Sequence, residues 1–177
     1  MMTIHESSFI APSAVIVGDV TIGKKCGVFP HAVIRGDENS IVIGDGSNIQ
    51  DCCVLHTDGD HVVRIGKGVT VGHAAVVHGA IIDDDCLIGI HSTVLNGARI
   101  GSGSVIGACA LVTENMVVPE NSLVLGVPGK IVKQDAQLLD MIRKNAKEYQ
   151  RLSLSHRQGQ YRLYDPRLRT RDPGGVK

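Results

Sequence analysis

The chain has no tryptophan and very few other rings, two Phe and three Tyr in 177 residues. An interior so poor in aromatics has to be filled by small aliphatic side chains. It has no excess of either charge, with 18 Lys and Arg against 18 Asp and Glu. That balance argues against a generally basic nucleic-acid-binding surface. No apolar run approaches the roughly 20 residues needed to span a bilayer, and the opening MMTIHESSF lacks a charged-then-apolar leader. Neither a membrane nor a nucleic acid is therefore expected as a partner. Proline is scarce at 6, and the 21 glycines show no Gly-X-Y period, which excludes collagen. The five cysteines, Cys26, Cys52, Cys53, Cys86 and Cys109, are odd in number and form no CxxC pair. Neither a disulfide framework nor a Cys-rich zinc site follows, and reduced thiols in a cytoplasmic protein are expected.

What is present is apolar, at 43%, enough for a folded core. The charge is unevenly spread. Residues 1–129 hold 6 basic and 13 acidic residues, and residues 130–177 hold 12 and 5. Two regions are expected: a body over 1–129, and a C-terminal helix with a basic tail over 130–177.

The body repeats with a period of six. Ile10, Ile16, Ile22, Val28 and Ile34 open the series, followed by Ile43, Ile49 and Leu55, then Ile65, Val71 and Val77. A last run goes from Ile82 through Ile88, Val94, Ile100, Ile106, Val112 and Val118 to Val124. A period of six fits neither an amphipathic helix nor a hairpin strand. It fits a β-solenoid in which one hexad forms one flat side and three hexads form a triangular coil. The aliphatic residue points inward. The small residue at position five (Cys26, Ala32, Ser47, Cys53, Ala75, Cys86) fits the corner. The frequent glycine at position two (Gly23, Gly44, Gly66, Gly72, Gly89) is read as serving a turn with unusual dihedrals. The period breaks three times between residues 34 and 82. Such insertions map to loops on one face, often the working face. After Pro128-Gly129, Leu138, Leu139, Ile142, Ala146, Tyr149 and Leu152 recur at helical spacing. They predict one helix from near Asp135 to about Leu152, then a tail over 157–177 that frays.

Stacking the hexads locates a candidate site. Hexads three apart share a side, one coil up, at roughly 4.8 Å. Those of Ile34, Leu55 and Val77 therefore stack, which aligns Arg35, His56 and His78. Two imidazoles one coil apart can share a metal, since nitrogens at about 2.0–2.1 Å from zinc are only about 3.3 Å from each other. The hexads of Ile49 and Val71 share another side and carry Gln50, Asp51 and His73. His73 thus falls on a different corner, and a neighbouring subunit could bring it to the first two. Three-fold packing supplies such a contact and leaves the fourth metal position open. His5, His31, His61, His91 and His156 are expected to be ordinary surface residues.

The segments VIRGD (33–37), NIQD (48–51), LH (55–56) and VGHAAVVHG (71–79) resemble the signature of the γ-class carbonic anhydrases. The resemblance covers about residues 5–152. It implies an all-β solenoid, a left-handed parallel β-helix of hexapeptide repeats with one C-terminal α-helix, assembled as a homotrimer. It implies His56 and His78 from one subunit and His73 from the next as ligands of Zn2+, with Fe2+ or Co2+ as alternatives. It further implies that Arg35 and Asp37 pair, that Gln50 orients the reacting water or the substrate, that Asp51 supports that shell and that Tyr149 faces the site. Archetypal members carry a long acidic loop after the first metal histidine, holding a glutamate proton shuttle. Here the loop is short and has no glutamate, and Glu38 matches a second family glutamate.

The implied reaction is reversible hydration of CO2 to bicarbonate. A divalent metal on three neutral imidazoles brings the pKa of a bound water to about 7, and the resulting hydroxide attacks CO2. A proton then leaves through Glu38, His61 or buffer. Two rivals share the fold. One is an acyl-CoA-dependent acyltransferase or thioesterase, in which Arg167, Arg169 and Arg171 meet a phosphate. The other is a metal-bearing assembly subunit without turnover.

Overall fold

The computed structural model describes residues 1–162. The fold is a left-handed parallel β-helix of about 7 turns with a single C-terminal helix. Its inward residues stack in three columns. One holds Ile16, Ile34, Leu55, Val77, Val94 and Val112. A second holds Ile22, Ile43, Ile65, Ile82, Ile100 and Val118. The third runs from Ile10 and Val28 through Ile49, Val71, Ile88 and Ile106 to Val124. Except for Ile10 and Ile16, which lie at the first coils, these side chains are buried. Each such burial contributes about 1.5–3 kcal/mol. The prism is narrow because one aliphatic side chain per side fills it.

Corner chemistry differs in one respect from the sequence reading. The left-handed backbone falls at position four of the hexad, at Lys25, His31, Cys52, Ala74, Asp85, His91 and Cys109 among others. The position-two glycines are required for a different reason, which is close approach between coils. A Cβ on Gly44 would lie 2.6 Å from the carbonyl carbon of Gly66 in the next coil. The small residues at position five are buried as expected, including Cys26, Cys53 and Cys86. Burial pushes the thiols of Cys53 and Cys86 up to about 12.

The irregularities stack on one corner. The strand Val33–Ile43 runs unbroken round that corner beside Val15–Ile22, so two sides join into one 11-stranded sheet. Gly18 pairs with Gly36 and Val20 pairs with Ile41, so the extra residues of the first break form a bulge carrying Asp37 and Glu38. The second break is the short loop from Thr57 to His61, one coil up. The third is the tight turn at Gly79, where φ is +55°.

After Gly129 the chain turns back, and Lys130–Gln134 lies antiparallel on Ser122–Leu125, a strand not anticipated from the sequence. The helix, α1, spans Leu138–Arg157, beginning and ending later than the spacing indicates. The segment before it is held instead by Asp135, whose carboxylate accepts from the Gln137 amide. Helix α1 descends the third side from the late coils to the first. Arg143 pairs with Asp85, Asn145 meets Thr70, Gln150 donates to Gly46, and His156 stacks on Phe9. One helical turn advances about 5.4 Å and one coil about 4.8 Å, so each turn meets a new coil. The rings absent from the interior gather under this helix, with Phe29 packed edge-on to Phe9 and Tyr149. His156, expected at the surface, is packed among Phe9, Phe29 and Tyr161. The tail lies outside the described residues from 163 on, and so do Arg167, Arg169 and Arg171.

Candidate metal centre

The strands Val54–His56 and Val76–His78 lie in parallel register, with His56 opposite His78 and Arg35 opposite His56. This is the column computed from the hexads. Each imidazole is the residue just past an inward aliphatic, so it points outward from the flat side. His56 Nδ1 and His78 Nε2 face each other at 2.9 Å. The remaining nitrogens are anchored. His56 Nε2 lies 3.2 Å from Asp37 Oδ1, and His78 Nδ1 lies 2.5 Å from Asn96 Oδ1. Arg35 sends one guanidinium nitrogen to both Asp37 oxygens, at 2.8 and 3.0 Å. The hydrogen bond from Arg35, aided by that from His56, holds the Asp37 carboxyl below the usual carboxylate range. Glu38 is exposed on the bulge beside it.

His73 sits past the third-side strand Thr70–Val71, on another corner. Its Nδ1 lies 2.9 Å from Asp51 Oδ2, and its Nε2 lies 3.4 Å from the Tyr149 hydroxyl. Burial, with the nearby Asp51 charge, raises the Tyr149 pKa. Gln50 is only 3% exposed. Its carbonyl accepts the His73 amide N–H at 3.1 Å, and its amide nitrogen donates to Asn48. Asn48 donates to Thr70, which donates to Asn145 on the helix. Gln50 therefore belongs to a buried ladder that holds the backbone of His73.

The structure thus gathers Arg35, Asp37, His56 and His78 on one corner, and Gln50, Asp51, His73 and Tyr149 on another. Within one chain, among the described residues, no three His, Cys, Asp or Glu side chains form a complete ligand set. All three histidines share one feature that suits a metal. One ring nitrogen faces an oxygen acceptor (Asp37, Asp51 or Asn96), and the other faces away from it. Such outer partners fix the tautomer and aim the lone pair.

Two residues were not reached from the sequence. Asn96 follows in the next hexad of the same column, since Val94 pairs with Val77, so one more step of the count finds it. Asp58 lies in the inserted loop, where no period points to it. Its Oδ2 accepts from Asn96, and its Oδ1 accepts from His61. His61 itself is half-exposed.

Comparisons with known proteins give the family. The family model described as Bacterial transferase hexapeptide (six repeats) matches residues 79–114. A protein of Methanocaldococcus jannaschii named "Probable carbonic anhydrase" is 52% identical over 85% of this chain and 95% of its own length. Gamma carbonic anhydrase 2 of Arabidopsis thaliana, a mitochondrial protein, is 35% identical over 86% of this chain and 58% of its own. The chain belongs to the γ-class carbonic anhydrase family. Solved structures share the fold. A hexapeptide transferase family protein from Anaplasma phagocytophilum is 35% identical, with a TM-score of 0.80 over 86% of this chain and 90% of that one. Among the described residues, no helix of this family member is long and apolar enough to cross a membrane.

Proposed function

We propose that this protein is a metal-dependent, carbonic anhydrase-like enzyme that reversibly hydrates CO2 at the interfaces of a homotrimer. His56 and His78 of one subunit and His73 of the next would hold the cation, Zn2+ by the chemistry of three imidazoles, with Fe2+ or Co2+ as alternatives. The observation that carries this reading is the pair of ring nitrogens facing each other at 2.9 Å, with the opposite nitrogens on Asp37 and Asn96. A second supports the shared interface. Val15, Val33, Val54 and Val76 form an outward aliphatic stripe in register beside the histidine column, continued by Thr93 and Leu111. Val15 is 48% exposed, and such a stripe suits burial against another copy.

A bound divalent cation would supply Lewis acidity, bringing the pKa of a coordinated water to about 7. The chain's own residues do the rest. Asp37 and Asp51 accept the outer N–H of His56 and His73, and keep those rings turned. Arg35 holds Asp37 in place. Gln50 fixes the backbone of His73, and the Tyr149 hydroxyl lies beside Nε2, the nitrogen left for the cation. Glu38, exposed on the bulge, and half-exposed His61 are the candidates for passing a proton to buffer.

One feature favours the acyl-CoA reading. Between helix α1 and the first coils lies a groove of about 450 Å³ lined by Lys25, Lys147, Arg151 and Arg157, which suits phosphates. Stopped-flow CO2 hydration on zinc- and iron-reconstituted protein, with a CoA-thioester assay in parallel, separates the readings. Hydration that rises with pH through about 7 is expected. Thioester turnover without hydration would establish the transferase, and metal binding without either activity would establish the assembly subunit.

A further inference from the structure

The outer nitrogen of His78 is held by groups that ligate nothing. Asn96 stands between His78 Nδ1 and the Asp58 carboxylate, at 2.5 Å from each. A carboxylate only accepts hydrogen bonds, so the amide nitrogen of Asn96 has to face Asp58. Its carbonyl oxygen then has to face His78, and His78 has to carry its proton on Nδ1. The Nε2 lone pair is left pointing at His56. Asp58 is fixed in turn by its own loop. Its Oδ1 accepts from the amides of Asp60 and His61, at 3.0 and 2.7 Å, and from His61 Nδ1 at 2.9 Å. Gly79 leaves room for this chain of bonds. A Cβ there would sit 2.7 Å from both Asn96 Oδ1 and His61 Cβ.

We propose that Asp58 and Asn96 act as a tautomer lock on His78, which makes the short loop from Thr57 to His61 a positioning element for the cation site. The inference rests on the metal-centre reading above. The loop thus has work to do without a glutamate. It points one imidazole lone pair inward through two hydrogen bonds and a polarity set by one carboxylate.

The test exchanges that polarity. In D58N the amides of Asp60 and His61 hold the side-chain oxygen at position 58 on their side, so the amide nitrogen there faces Asn96. Asn96 then has to flip to accept from it, which turns its own amide nitrogen to His78 and moves the His78 proton to Nε2. In the double variant D58N/N96D the amide and the carboxylate change places. The carboxylate at position 96 then accepts from both His78 Nδ1 and the amide at position 58, and the lock is restored. Two readouts are taken on the full-length protein. Imidazole nitrogen shifts of metal-free protein labelled with 15N-histidine report the tautomer, and chelator competition reports zinc affinity. The expected result is an Nδ1–H tautomer for His78 in the wild type, a shift to Nε2–H and zinc binding about tenfold weaker in D58N, and recovery of both in the double variant. An unchanged tautomer in D58N overturns the lock. So does a loss in D58N that the double variant fails to recover while its melting matches the wild type. Wild-type protein showing the Nδ1–H tautomer but no zinc binding keeps the lock and removes the metal-centre reading.

Discussion

Replacing Asp51 with alanine removes the acceptor 2.9 Å from His73 Nδ1. Two effects compete in magnitude. As a hydrogen-bonded pair with both side chains 43% exposed, Asp51 and His73 contribute at most about 1 kcal/mol to folding. As an outer partner of a ligating imidazole, the same carboxylate matters about 10–100-fold in metal affinity. The backbone of His73 stays held by Gln50, whose carbonyl accepts its amide N–H. Asp51→Ala should therefore weaken zinc binding about tenfold or more while the unfolding free energy stays within about 1 kcal/mol. Asp51→Asn keeps an oxygen that can accept from Nδ1 and should fall between Ala and wild type. Chelator competition reads the affinity, and urea unfolding at one fixed subunit concentration reads the stability, since assembly couples the two. Wild-type zinc affinity in Asp51→Ala would refute the role of Asp51 as the outer partner of a ligating His73. A collapse of stability would instead make Asp51 a structural residue.

Two further outcomes are expected. The hydrogen bond from Arg35, with His56 adding to it, depresses the Asp37 pKa in the fold. A depressed carboxylate stabilises above its unfolded pKa, and that contribution is lost as pH falls through the folded value. The stability gap between wild type and Arg35→Leu should therefore narrow on acidification from about pH 7 to about pH 3, and urea midpoints showing a constant or widening gap contradict it. Cys26, Cys53 and Cys86 are buried, whereas Cys52 and Cys109 are exposed. A thiol reagent should therefore titrate at most two of the five before unfolding, and fast reaction of a third would mean the corners are open.

The repeat was legible because a solenoid converts sequence distance directly into position. Counting hexads placed Arg35, His56 and His78 in one column and Gln50 near His73 on another corner, and the strand registers match that count. Where the period lapses, so does the count. Asp58 lies in an insertion and reaches Asn96 across 38 positions, a contact no spacing rule reports. The strand Lys130–Gln134 is exposed throughout and carries no pattern of burial, so only its pairing with Ser122–Leu125 reveals it. The position-two glycines were legible as glycines but not as close approaches, because the clash at Gly44 is with the next coil. His156 looked like a surface residue because its partners Phe9 and Phe29 lie more than a hundred positions away.

The central claim is that one cation is held by imidazoles from two subunits, and mixed trimers test it most directly. H73A and H78A should each bind no stoichiometric zinc. When the two are refolded together in equal amounts, an interface is complete wherever an H73A subunit supplies His56 and His78 and an H78A neighbour supplies His73. Random assembly makes about one quarter of interfaces complete, so zinc content and CO2 hydration should rise together to about one quarter of wild type. Mixed trimers that stay as empty as their parents, or a parent variant that keeps wild-type zinc, would contradict the account.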